Sequence, residues 1–328
     1  MPEAQPEIAF PKTDLPAVEG VDKEKVEQFS SKMHKDMTNN LKQMEDGLAE
    51  EGGRVATCTT IDEACALLQK EIDSDCEVFS GPAFWGMEAM DIWVGVQCQA
   101  FAYHADVRSD KGVITGFDTT RAAARMRKYY LHQVHSKFRF HSKFRISVAR
   151  IDEVHARIVS EGWFRLLDPV DKKGRLTVLM TMSKVDFDKV TEERHRMVVE
   201  YFFLFFHGLM FDEAAQKNGM CYVNDYTGLE FSTIVKMGGK TDERTKKAMH
   251  TLMLGALPIK MKSTFLVNLP WWIDVPFKIV LVFMSAKLKE RVRFVSKRWR
   301  KVYTEVQDQS FWPSTSGGGG PPIEQFPS

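Results

Sequence analysis

The residues that could do chemistry are scattered, and their spacing argues against the common catalytic kits. Gly239-Lys240-Thr241 ends like a phosphate-binding loop, but that loop needs a glycine five residues before Gly239, where Ile234 stands. A Gly-Gly loop ahead of a Thr-capped helix accounts for the same residues. No Gly-x-Ser-x-Gly elbow occurs, and the nine histidines include no His-Glu-x-x-His. His195 and His207 fall on an apolar helical pattern and read as core or pocket-edge side chains. The five cysteines (Cys58, Cys65, Cys76, Cys98 and Cys221) show no metal spacing, and their odd count reads as reduced thiols. The expectation is a protein that is not an enzyme and carries no cofactor and no metal.

What stands out instead is a helical pattern from about Asp274 to Arg300. Ile273, Phe277, Val280, Leu281, Met284 and Leu288 form one stripe, and Ile279, Val282 and Phe283 occupy the other side. A helix apolar on two sides is either fully buried or faces a ligand on one side and something apolar on the other. The pattern then turns basic at Lys287, Lys289, Arg291, Arg293, Lys297 and Arg298. Cations suit a helix C-terminus, and apolar residues beside them also suit an anionic bilayer surface. The residues alone leave both readings open.

The elements that must position this segment can be read along the chain. Residues 1–20 read as a disordered tail. Val26, Phe29, Met33, Met37, Leu41, Met44 and Leu48 make a stripe on a long helix that Gly52-Gly53 ends, and Ile61, Cys65, Leu68 and Ile72 mark a second helix. Residues 80–116 show no clean period and read as irregular. A helix follows from Phe117 to Tyr130, with Asp118 or Thr119 as its cap. From Arg121 to Arg150 there are nine Lys or Arg and no acid, and this stretch holds the tandem copy HSKFRF–HSKFRI at 135–146. Strands are expected at Leu176–Met182, Met220–Val223 and Ser263–Val267, separated by helices. Strand–helix alternation implies a largely parallel sheet. The sequence after each strand is not a glycine-rich phosphate cradle, which removes a dinucleotide-binding fold. A composition of 23 Phe and 17 Met fits either an ordinary large core or a pocket for a big apolar ligand.

Four stretches together decide between these readings: Asn218–Gly228 (NGMCYVNDYTG), Leu257–Lys262 (LPIKMK), Leu266–Pro270 (LVNLP) and Phe283–Phe294 (FMSAKLKERVRF). In order and spacing, residues 174–296 resemble the CRAL-TRIO lipid-binding family, which includes α-tocopherol transfer protein and cellular retinaldehyde-binding protein. The resemblance implies an α/β fold: a helical N-terminal lobe, then a mostly parallel sheet and a lid helix over an apolar pocket. It puts Ile273, Phe277, Val280, Leu281 and Met284 in the lid. Val178, Met180, Tyr222, Phe265 and Val267 would line the pocket from the strands, with Phe202, Phe205 and Phe206 at its back. Basic residues around the lid hold phosphoinositide head groups in the tocopherol-binding members. By motif position they correspond here to Lys260, Lys262, Lys287 and Arg291. Where the family often has Lys-Pro-Phe, this chain has Leu281-Val282-Phe283, which gives a more apolar and less kinked lid.

The expected organisation is a tail (1–20), a helical lobe (21–150), a lipid-binding domain (151–305) and a second tail (306–328). The expected function is soluble, cytoplasmic binding of one lipophilic molecule and its transfer between membranes, with transient docking to anionic or phosphoinositide lipids. The alternative is a lipid-sensing interaction module without transfer. A net charge of +1 gives no whole-molecule attraction to nucleic acid. Lys137-Phe138-Arg139-Phe140 and its copy could grip a single strand, but a solvated basic segment accounts for them more simply. No run of about 18 apolar residues lacks charge, so no membrane span is expected. The residues do not specify the ligand or the oligomeric state.

Overall fold

Thr60 opens the first well-defined helix of the computed structural model. Its hydroxyl accepts from the Glu63 N–H at 3.2 Å while the Glu63 carboxylate takes the Thr60 N–H, a reciprocal cap that fixes where α1 (Ile61–Ser74) begins. The structure describes residues 22–28, 31–32, 35–36, 38–39, 42, 53–79, 90–134, 162, 164–167, 170–184, 205–206, 208–232, 255–270, 272–273, 286–295, 299–312 and 314. Residues 23–28 are helical, and Val26 is buried. The HSKFRF–HSKFRI repeat lies outside the described residues.

Helix α1 buries Ala64 and Leu68 against α3 (Met90–His104) and α4 (Thr119–Val134), with the short α2 (Cys76–Phe79) beside them. Residues 80–116 were expected to be irregular, yet they contain α3 and an antiparallel strand pair, β1 (Asp106–Arg108) and β2 (Ile114–Phe117). Helix α3 is apolar nearly all round, so it shows no 3.6-residue asymmetry to betray it. Asp118 caps α4 by accepting from the Arg121 N–H at 3.1 Å.

The C-terminal half carries a five-stranded sheet ordered β3 (Phe164–Leu167), β4 (Leu176–Thr181), β5 (Met220–Asp225), β6 (Met261–Val267) and β7 (Val292–Val295). Strands β4 to β7 are parallel, and β3 pairs antiparallel at one edge. Helix α5 (Glu213–Asn218) is capped by Asp212 and stopped by Gly219, whose φ of 76° favours glycine. The helix expected from Asp274 to Arg300, in one or two pieces, is interrupted by a strand that was not expected. Helix α6 (Ala286–Arg291) passes directly into β7, and a separate α7 covers Arg300–Glu305. The β-branched and aromatic run Val292–Val295 gains a ladder with β6, and that tertiary pairing overrides the helical period.

Register sorts the side chains onto two faces. Leu176, Val178, Met220 and Tyr222 pack toward the N-terminal helices, in one core with Phe101, Met126 and Leu257. Leu179, Cys221, Val223, Phe265, Val267 and Val295 pack the other way, under Trp299, Val302, Val306 and Trp312. A tail from residue 306 was expected, but Val306 and Trp312 are fully buried, and the Trp312 Nε1–H donates to the Gln307 carbonyl at 3.1 Å.

Candidate functional site

Two regions hold the candidate residues. The first is the apolar face. Val178 and Tyr222 are partners across β4 and β5, and Met180 lies two residues along on the same side. A chain of rings continues from them: Phe206 stacks on Tyr222 at 6.1 Å, Phe205 meets Phe206 edge-on at 5.4 Å, and Phe164 meets Phe205 at 4.7 Å. The Tyr222 hydroxyl is buried without a hydrogen-bond partner among the described residues, and burial holds its pKa well above the usual phenol value. Ile273 belongs to a separate cluster with Val26, Leu229, Phe231 and Trp272. That cluster also takes Met182, Tyr226 and Leu269, which follow β4, β5 and β6, so it sits beyond the carboxyl ends of those strands.

Phe265 and Val267 do not join this face. In the β5–β6 register Tyr222 opposes Thr264, while Phe265 opposes Val223 and Val267 opposes Asp225. Alternation therefore sends Phe265 and Val267 to the face covered by α7 and Trp312. Phe202, Phe277, Val280, Leu281 and Met284 lie outside the described residues.

Beyond the strands, a short polar tie joins β5 to β6. Asp225 accepts from the Thr227 N–H at 3.0 Å and from its hydroxyl at 2.5 Å, and the Asn268 side-chain amide donates to Thr227 at 2.7 Å. Asn268 takes a φ of 55° to do so.

The second region is an open basic cleft of about 230 Å³. It is lined by six cations (Lys173, Arg175, Lys262, Lys287, Arg291 and Arg293) with Ser263 and two carboxylates, Glu290 and Glu305. A register shift at Met220/Cys221 leaves Lys262 as the extra residue between Met261 and Ser263, at the start of β6. Arg175 is nearly buried: its Nε and Nη2 reach Asp171 Oδ2 at 2.6 Å, and its Nη1 donates to the Ser263 hydroxyl. Asp171 in turn organises its own turn, accepting from the Lys173 and Arg175 N–H groups at 2.8 Å. Arg291 donates to the Met261 carbonyl at 3.3 Å. Arg293 donates to the Glu290 carbonyl at 3.0 Å and pairs with Glu305 at 3.1 Å.

Of the four basic residues matched by motif, Lys262, Lys287 and Arg291 meet in this cleft and Lys260 does not. Lys260 is 3% exposed and its Nζ bonds Asp106 of β1, in the N-terminal lobe. Asp106 also holds Arg108 Nη2 at 2.7 Å and lies 3.6 Å from Arg54 Nη1. Burial lowers the Lys260 pKa to about 7, against the opposing pull of Asp106. A lysine committed to an internal carboxylate is withdrawn from any surface ligand. Lys173, Arg175 and Arg293 were not among the expected binding residues. The signal for the first two was the turn Asp171-Lys172-Lys173-Gly174-Arg175, a basic corner directly before a strand.

Among the described residues no three His, Cys, Asp or Glu gather to hold a metal ion, and no helix is long and apolar enough to cross a membrane. Cys98 and Cys221 are buried thiols, both pushed up to about 12 by burial.

Comparison with known proteins gives three findings. Residues 160–318 match the family model described as CRAL/TRIO domain. Tyrosine-protein phosphatase non-receptor type 9 of Homo sapiens, and equally that of Mus musculus, is 23% identical over 137 residues, 42% of this chain. The match takes in only 21% of the phosphatase's own length. Among solved structures, "Crystal structure of Sfh5" aligns over 92% of this chain and 88% of that one, at 12% identity and a TM-score of 0.42.

Proposed function

Residues 160–318 being a CRAL/TRIO domain, we propose that this protein binds one lipophilic molecule and carries it between membranes, docking to anionic or phosphoinositide-bearing bilayers through its basic cleft. CRAL/TRIO domains bind lipophilic molecules and are typically not enzymes. In this reading Val178, Met180, Tyr222, Phe205 and Phe206 form the ligand-facing wall, and Ile273 marks the approach to it. The expected binding unit (151–305) is extended to Trp312, whose side chain is buried in its core, the expected helical lobe (21–150) precedes it, and the protein works in the cytoplasm.

The observation that supports docking is the convergence of Lys262, Lys287 and Arg291 with Lys173, Arg175 and Arg293 in one open cleft. Arginine forks and lysine ammonium groups at that density suit phosphate oxygens. The testing variant is Lys287→Glu/Arg291→Glu, assayed by co-sedimentation with phosphatidylcholine vesicles containing phosphatidylinositol bisphosphate. Vesicle binding is expected to be lost while capture of a fluorescent fatty ligand in solution survives. Unchanged sedimentation would sink the assigned docking site. Movement of ligand from donor to acceptor vesicles separates a carrier from a lipid sensor.

A further inference from the structure

Two carboxylates line the cleft, Glu290 and Glu305, and Glu305 is the one paired with Arg293. Glu305, the last residue of α7, lines the same cavity as the six cations, and its Oε1 and Oε2 both lie 3.1 Å from Arg293 Nη1. Its position is not a loose surface contact. Helix α7 is held on the sheet by buried Trp299, Val302 and Val306, and Lys172 ties its end to the β3–β4 turn through the Tyr303 carbonyl at 3.2 Å and Asp308 at 2.7 Å. Arg293 is fixed from its other side by the Glu290 carbonyl. A carboxylate therefore already occupies the guanidinium that an incoming phosphate would seek, with matching charge and oxygen geometry.

This arrangement has a consequence for selectivity. A phosphodiester headgroup carries one negative charge, so exchanging it for Glu305 at Arg293 replaces one monoanion by another. A phosphomonoester carries about −1.5 to −2 at neutral pH and gains by the exchange. We propose that Glu305 is a specificity-determining residue, a built-in competitor that raises the charge a lipid headgroup must bring to engage the cleft. The proposal rests on the docking reading above and adds to it which headgroups are admitted.

The test compares wild type with Glu305→Gln on phosphatidylcholine vesicles doped either with phosphatidylserine or with phosphatidylinositol bisphosphate. Removing one negative charge from the cleft is expected to tighten binding to phosphatidylserine vesicles roughly three- to fivefold. Binding to bisphosphate vesicles should tighten by at least as much, because the same Arg293–Glu305 pair must be broken there, so the variant lowers the charge a headgroup needs in order to bind. In an Arg293→Gln background the gain from Glu305→Gln should vanish, because the competition is for that guanidinium. Glu305→Asp keeps the charge and should retain the wild-type affinities for both vesicle types, and thermal melting of each variant controls for folding. Equal or weaker binding by Glu305→Gln to phosphatidylserine vesicles would show that Glu305 only positions Arg293, and overturns the proposal. If wild type ignores both vesicle types, the docking reading fails and takes the competitor with it. If wild type ignores vesicles but binds free glycerophosphoinositol bisphosphate, the cleft serves a soluble phosphate and the lipid form of the proposal is overturned.

Discussion

Single side chains carry the sharpest expectations. Tyr222 holds a hydroxyl in the core with no partner among the described residues, a cost that an apolar ring of the same shape avoids. Tyr222→Phe should therefore stabilise the ligand-free protein by about 1 kcal/mol, read as a higher urea midpoint with an unchanged slope. Lys260 makes a different prediction. Its folded pKa of about 7 lies below the ordinary lysine value of 10.5, so between those limits the unfolded chain binds more protons than the folded one. Stability contributed by this group therefore rises with pH from about 7 to 10.5. Lys260→Met should flatten that rise in urea titrations across the window. The same variant should leave binding to anionic vesicles unchanged, whereas Lys287→Glu/Arg291→Glu is expected to abolish it. Loss of vesicle binding in Lys260→Met would return this lysine to the docking site.

The contact between β1 and the start of β6 is one polar point at which the two halves of the chain are fastened, beside the core they share. Asp106 is the carboxylate that meets Lys260, Arg108 and Arg54 there, and its side chain is only 2% exposed. Asp106→Asn should cost about 3–5 kcal/mol, since it leaves cations buried without their counter-charge. Differential scanning calorimetry that shows a loss under 1 kcal/mol would refute that role. Elements with a strong period were legible in the sequence: α1 shows its stripe at Ile61, Cys65, Leu68 and Ile72, and β4, β5 and β6 were placed to within two residues. Elements defined by tertiary partners were not. Helix α3 is apolar on nearly every side, and β7 exists because β6 pairs with it. The site followed the same rule. Motif position pointed to Lys262, Lys287 and Arg291, which line the cleft, but it could not tell that Lys260 turns to the N-terminal lobe. Nor could strand alternation within β5 and β6 taken separately show that Phe265 opposes Val223 and not Tyr222; that needed the register across the two strands.

At the scale of the molecule, the cleft draws on residues from the β3–β4 turn, β6, α6, β7 and α7, so it exists only when all of them are in place. The cover of the second sheet face is likewise remote in sequence: Phe265, Val267 and Val295 wait for Trp299, Val302, Val306 and Trp312. A ribosome delivers residues at about 5–20 per second, and these covering residues come after every strand of the sheet. For the interval between β7 and Trp312 the nascent chain presents a bare apolar face, the kind of surface that chaperones recognise. Chains stopped before Trp299 should accordingly be recovered as aggregates or bound to chaperones, while chains that include Trp312 should be released free. Trp312, the last aromatic side chain of the described core, is thus expected to set the moment in synthesis at which the protein becomes independent of its helpers.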